Sequence, residues 1–218
     1  LMDNGDCLTL GEFERRYNMM PHVKKAELID GIVYMPSPVR IRHGRPHALV
    51  ISWLSAYYVA TPGIDLGDNV TVRLDLGNEV QPDGLLRLEP AQGGHSRITD
   101  DEYIAGAPEL VAEIATSSVS YDMHDKLRVY RRNAAQEYIV WQVYDERIDW
   151  FRWSEGEYLP LAPGDDGIVR SQVFPGLWLN ADAMLDGDLA QVLSDLQKGL
   201  QSEEHAAFVK QLAEKSKA

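Results

Sequence analysis

With 218 residues, 44% of them hydrophobic and 25% charged, the chain has the make-up of one globular domain, or of a domain with an appendage. That excludes wholesale disorder, a collagen-like repeat and a disulfide-stapled miniprotein, and no apolar run approaches the roughly 20 residues of a membrane span. The net charge of −13 excludes a general polyanion-binding coat, yet residues 21–60 carry five Lys/Arg against two acids, and 121–135 four against two.

The opening Leu1-Met2-Asp3-Asn4-Gly5-Asp6 is acidic where a secretory signal is basic and then apolar. The single cysteine, Cys7, has no partner for an internal disulfide, so a reducing, cytoplasmic location is expected. Residues 10–17 read as a short helix capped by Thr9, with Glu12 completing a capping box. Asp30-Gly31 between Ala26-Glu27-Leu28-Ile29 and Ile32-Val33-Tyr34-Met35 is a hairpin signal, ended by Pro36-Ser37-Pro38. A helix is expected over 44–59, where Leu49, Trp53, Leu54 and Tyr57 share one face. Residues 70–74 alternate like a strand, and 80–88 contain another.

Residues 89–107 read as a long polar loop with one helical turn near 100–105. Leu110-Val111-Ala112-Glu113-Ile114-Ala115 suits a buried strand, closed by Thr116-Ser117-Ser118. A helix over 122–133 follows, then β runs over 137–144 and 147–153, and an edge strand over 157–161. A short strand over 168–173 precedes helices over 188–200 and 203–213. The order predicts an α/β domain whose central helix–strand alternation implies a partly parallel sheet. The core is expected over 1–180 and a C-terminal helical extension over 181–218.

The chemistry concentrates in a few side chains. Asp83 follows Pro82 where a strand begins. Glu113 lies mid-strand among aliphatic residues, and burying a carboxylate there costs several kcal/mol unless it is paired, protonated or bound to a cation. Asp83 and Glu113 on neighbouring strands, sharing a divalent ion, resolve that cost, because Mg²⁺ or Mn²⁺ takes oxygen ligands along with water and phosphate. Lys126 lies 13 positions after Glu113, and Asp122, Lys126 and Tyr130 form one helical stripe. The helix folding back over the sheet would bring the Lys126 ammonium to the two carboxylates.

The combination resembles the PD-(D/E)XK nuclease superfamily and, more narrowly, the Uma-two family of restriction-endonuclease-like proteins. The stretches that carry the resemblance are Glu27-Leu28-Ile29-Asp30-Gly31, Pro36-Ser37-Pro38 with His43-Gly44-Arg45, and Gln81-Pro82-Asp83. They continue with residues 108–114, Ser117-Ser118, the Asp122, Lys126 and Tyr130 stripe, and Glu137-Tyr138-Ile139-Val140. The superfamily's usual lysine position, two after the strand acid, holds Ala115; Lys126 matches the helix-borne lysine found in many members of the family. The resemblance implies a restriction-endonuclease-like mixed β-sheet flanked by helices. It makes Asp83 and Glu113 metal ligands, Lys126 the catalytic lysine and Glu27 an accessory acid. It further implies hydrolysis of phosphodiester bonds, most naturally in DNA. Read from the residues themselves, Arg40, Arg42 and Arg45 cluster beside His43 and could meet a nucleic-acid backbone. Double-strand cutting by one active site would ask for a homodimer, though the sequence leaves the oligomeric state open.

Blander assignments stand beside these. Asp83 would otherwise be a turn residue, Glu113 a member of a buried ion pair with an arginine or Lys126, and Lys126 a solvated helix residue paired with Asp122. Glu27 would be an exposed strand residue. His43 and His47 have zinc-compatible spacing, but Pro46 intervenes and no cysteine cluster is near, so they read as surface or phosphate-facing. Tyr57, Tyr58, Trp141, Trp150 and Trp153 read as packing, and Ser117-Ser118 as a helix cap rather than a nucleophile. The alternative function is a catalytically inactive nuclease fold that binds a protein or a nucleic acid.

Overall fold

A computed structural model describes residues 1–35, 40–116 and 122–215. Pro36-Ser37-Pro38 and Ser117-Ser118 lie outside the described residues, and with them the strand-ending and capping roles expected there.

Helix α1 (Leu10–Asn18) begins at Thr9, whose side chain accepts the Glu12 N–H at 3.4 Å. The capping box is half formed, because the Glu12 carboxylate turns to Arg15 and Arg16 instead. Strands β1 (Glu27–Ile29) and β2 (Ile32–Tyr34) form the expected hairpin, with Asp30 and Gly31 at φ 49° and 76°. Positive φ at both central residues is what the tight primed turn requires, and Asp and Gly tolerate it.

Helix α2 (Ile41–Ala60) starts three residues earlier than the periodicity indicates. The His43 and Gly44 N–H groups both donate to the Arg40 carbonyl and carry the first turn back past Pro46. Strand β3 (Ile64–Gly67) follows, then β4 (Val72–Asp75), β5 (Asn78–Val80) and β6 (Gly84–Leu88). The segment expected to be a loop with a helical turn holds a 3₁₀ turn at Pro90–Gln92 and two short strands, β7 (Arg97–Ile98) and β8 (Ile104–Ala105). A parallel pairing of β8 with β4 overrides local preference there.

Strand β9 (Leu110–Ala115) leads to a π-helical turn, Asp122–Lys126, and to α3 (Leu127–Arg132). Next come β10 (Glu137–Gln142), β11 (Arg147–Ser154), β12 (Glu157–Pro160), β13 (Ile168–Arg170) and β14 (Trp178–Asn180). Helices α4 (Ala181–Leu185), α5 (Leu189–Leu200) and α6 (Glu203–Lys215) complete the chain.

The strands build two six-stranded mixed sheets, ordered β2-β1-β5-β4-β8-β7 and β12-β11-β10-β9-β6-β3, with β13 and β14 as a separate pair. The β9–β10 pair is parallel, as the crossover through α3 demands, and β6 runs antiparallel to β9.

Alternation along β9 divides the interior. Leu110, Ala112 and Ile114 face one core with Val50, Trp53 and Leu54 of α2 and with Val192, Leu196 and Leu212 of the C-terminal helices. Val111 and Ala115 face a second core, filled by Ile29, Val72 and Val80 of the first sheet and by Val129 and Tyr130 of α3. A third, under α1, gathers Met2, Phe13, Met20, Leu28 and Val33. The expected packing role of the aromatics is met by Tyr57, Trp141 and Trp150, which are buried, whereas Tyr58 and Trp153 lie at the surface. Gln81, Pro82 and Asp83 carry the chain from β5 in the first sheet to β6 in the second, which puts Asp83 at the seam between the sheets.

Candidate active site

The β6–β9 register pairs Gly84 with Ala112, and one step further sets Asp83 opposite Glu113. Residues opposite each other in an antiparallel pair share a face, and here it is the face toward the second core. Asp83 is anchored by its Oδ2 atom, which accepts the Ile114 N–H at 2.7 Å.

Glu113 is buried, and its Oε1 atom accepts from Lys126 Nζ at 2.9 Å and from the Tyr130 hydroxyl at 3.0 Å. Lys126, 2% exposed, also lies 2.9 Å from Glu27 Oε1 and 3.7 Å from Asp122 Oδ1. The Glu27 Oε1 atom in turn accepts the Gln81 N–H at 2.7 Å. One ammonium thus binds acids from β1, β9 and the π-helical turn. That turn aims Lys126 inward; wide turns of this kind recur where a helix must point a side chain at a site. Lys126 is therefore not a solvated helix residue, and Glu27 is not an exposed one.

The charges shift one another. Burial pushes Glu113 upward, Lys126 opposes it, and Asp122, Asp83 and Glu27 add to the rise, leaving its pKa at about 8. Burial works the same way on Glu27, but Lys126, Lys25 and the Gln81 N–H prevail and hold it below the ordinary carboxylate value. The two glutamates thus divide one ammonium unequally: Glu27 has a second cation near it, while Glu113 has three carboxylates. Asp83 is held down at about 2, because His43, Lys25 and the Ile114 N–H outweigh its burial.

Of the basic residues singled out in the sequence, His43 reaches this cluster, with Nε2 3.4 Å from Asp83 Oδ1. Arg42 and Arg45 do not. They line a separate groove of about 950 Å³ with Trp141, Asp182 and Asp186, and the Arg42 guanidinium lies 5.8 Å from the Tyr144 ring centre. His47 is bound to Asp68 and to the Asp83 carbonyl.

Two participants escaped the sequence reading. Lys25 sits 3.7 Å from Asp83 Oδ1, on the irregular segment just before β1, and its nearness in sequence to Glu27 was the one signal it gave. Tyr130 stood on the helical stripe with Lys126, without a role assigned to it.

Among the described residues, no three His, Cys, Asp or Glu side chains are arranged to hold a metal ion. The nearest donors are carboxylate oxygens: Asp83 Oδ1 has only the longer contacts to His43 and Lys25, and no described hydrogen bond reaches Glu113 Oε2. Two carboxylates fit a hard ion that keeps several waters and do not fit a closed zinc-type cage. Among the described residues, no helix is long and apolar enough to cross a membrane.

Among solved structures, the chain is similar to a protein from Anabaena variabilis ATCC 29413, described as a "putative nuclease belonging to DUF820". The match has a TM-score of 0.62 at 13% identity and covers 83% of this chain and 98% of that one. At that identity the likeness speaks for the fold alone. No curated protein matches the chain. The sequence pattern of the Uma2 family, described as "Putative restriction endonuclease", matches residues 10–182. That span takes in β1, the seam residue Asp83, β9 and the turn bearing Lys126, and the chain belongs to the Uma2 family.

Proposed function

We propose that this chain is a divalent-metal-dependent endonuclease that hydrolyses phosphodiester bonds in DNA. The observation that carries the reading is the buried juxtaposition of Asp83 and Glu113 across β6 and β9, with the Lys126 ammonium 2.9 Å from Glu113. Excess negative charge in a low-dielectric seam, offered through oxygen atoms, is the setting in which Mg²⁺ or Mn²⁺ binds. Asp83 Oδ1 and Glu113 Oε2 would hold the ion. Such an ion supplies Lewis-acid polarisation of a phosphate oxygen and a bound water of lowered pKa.

The chain's own residues do the rest. The Ile114 N–H and the Tyr130 hydroxyl fix the two carboxylates in rotation. Lys126 is the counter-charge that Glu27 and Glu113 share, and its ammonium would orient the attacking water or balance charge on the phosphate. His43 faces the substrate side of Asp83, while Arg42 and Arg45 would meet flanking backbone along their groove.

The self-contained pairing of Lys126 with Glu27 and Glu113 also favours a second reading, a nuclease fold that keeps the cluster only as structure and binds without cutting. Glu113→Gln separates the two. The amide keeps an oxygen for Lys126 and Tyr130, so the variant should fold with a Tm close to that of the wild type. It should also lose Mn²⁺ binding in calorimetry and Mg²⁺-dependent nicking of supercoiled plasmid. A variant that binds Mn²⁺ and nicks like the wild type would overturn the proposal. A wild-type chain that takes up no ion would leave the binding fold.

A further inference from the structure

We infer that Lys25 and His43 form a phosphate subsite at the mouth of the acid cluster, gripping the non-bridging oxygens of a nucleic-acid backbone phosphodiester; this rests on the nuclease reading above. The two oxygens of Asp83 are treated differently. The inner one takes the Ile114 N–H at 2.7 Å. The outer one is approached by His43 Nε2 at 3.4 Å and Lys25 Nζ at 3.7 Å, both beyond the roughly 2.7–2.9 Å of a closed charge-assisted bond. The Lys25 ammonium, with three N–H groups, keeps donors for a second acceptor, and the single Nε2 N–H of His43, held only by a long contact, can be shared with or turned to one.

They are also reachable. The Lys25 and His43 side chains are 24% and 21% exposed, against 3% for Lys126, whose ammonium is enclosed by Glu27, Glu113 and Asp122. Lys25 also donates to the neutral Asn69 amide oxygen at 3.3 Å and lies close enough to Glu27 to help hold its carboxyl down. His47, stacked on His43 with ring centres 6.0 Å apart, is held by Asp68 and the Asp83 carbonyl, and so braces His43 rather than competing for the ligand. An anion arriving beside Asp83 would meet repulsion from the carboxylates. Two donors on the open side, acting with the ion, remove it.

The inference makes an unusual demand on affinities. Lys25 and His43 compete with a metal ion for Asp83 Oδ1, yet they would assist the phosphate. Lys25→Met, which keeps the apolar stem, and His43→Gln should therefore leave Mn²⁺ affinity unchanged or tighter. Each should weaken binding of a fluorescein-labelled DNA duplex roughly tenfold, about the loss of one charge-assisted bond. The DNA is measured in Ca²⁺, a weaker Lewis acid of the same oxygen-ligand class, by fluorescence anisotropy over a salt series. Lys25→Met should also lower the salt slope by about one. If the two residues merely position Asp83, metal and DNA affinity fall together, and the subsite is overturned. Unchanged DNA affinity in both variants, or ion uptake by a wild type with no DNA affinity, overturns it as well. A wild type that binds no ion removes the subsite and the nuclease reading together, so the two failures are distinguishable.

Discussion

Lys126 is where the cost of burying charge is met. Its ammonium is the shared counter-charge for Glu27, Glu113 and Asp122, so removing it strands acids already out of water. Breaking a buried pair by deleting one member costs about 3–5 kcal/mol. Lys126→Met should lose stability of that order at pH 8 in chelator, as measured by urea denaturation. The deficit should shrink toward pH 5, where the carboxyls take up protons. A variant as stable as the wild type at pH 8 would show that the ammonium is not the counter-charge. The same burial explains what could be read beforehand: an acid inside Leu110-Val111-Ala112 and Ile114-Ala115 needs a partner wherever it lies. Lys25 and Tyr130 were illegible, because a lysine on an irregular segment and a tyrosine on a helix are ordinary until the fold shows what they touch.

Between the strands and helices, Arg73 of β4 plays a comparable part on the surface side. Its guanidinium meets Glu14 of α1 at 2.7 Å, Glu79 of β5 at 3.2 Å and Asp101 of the β7–β8 connection at 2.8 Å. Burial pushes the Glu79 carboxyl up, Arg73 pulls it back and Glu14 adds to the rise, leaving it at about 7. A carboxyl raised on folding contributes stability in full below its unfolded value near 4.5, and that contribution is lost as pH climbs through about 7. Glu79→Gln should therefore gain Tm relative to wild type as pH rises from 5 to 8; a gap that stays constant across that range would contradict the shift. The hairpin at Asp30-Gly31, α2 and the β9–α3–β10 crossover were legible from turn chemistry and periodicity. Strands β7 and β8 were not, since two-residue strands exist only through their pairing with distant β4. The π-helical turn has no sequence period of its own, so 122–133 read as one helix.

Taken entire, the molecule closes its first core with chain lying beyond the family match. Val192, Leu196 and Leu212 are buried against α2 and the turn around Phe174, and each contributes about 1.5–3 kcal/mol by leaving water. Their sum is comparable to the roughly 5–15 kcal/mol that stabilises a whole domain. A chain ending at residue 180 should unfold or melt well below the full chain by circular dichroism; an unchanged Tm would make 181–218 a separate appendage. The mixed α/β character was legible from element order, but its division into two sheets was not, because the chain passes back and forth between them, after β2, β3, β5, β6 and β8, at crossings that no local periodicity marks.

That crossing carries an implication for stoichiometry. Among the described residues, the Gln81-Pro82-Asp83 crossing sets one aspartate beside one glutamate, so each molecule would present one reaction centre to one phosphate at a time. On the proposed activity, severing a duplex then falls to two copies meeting across the helix, or to one copy that lets go, turns about and returns.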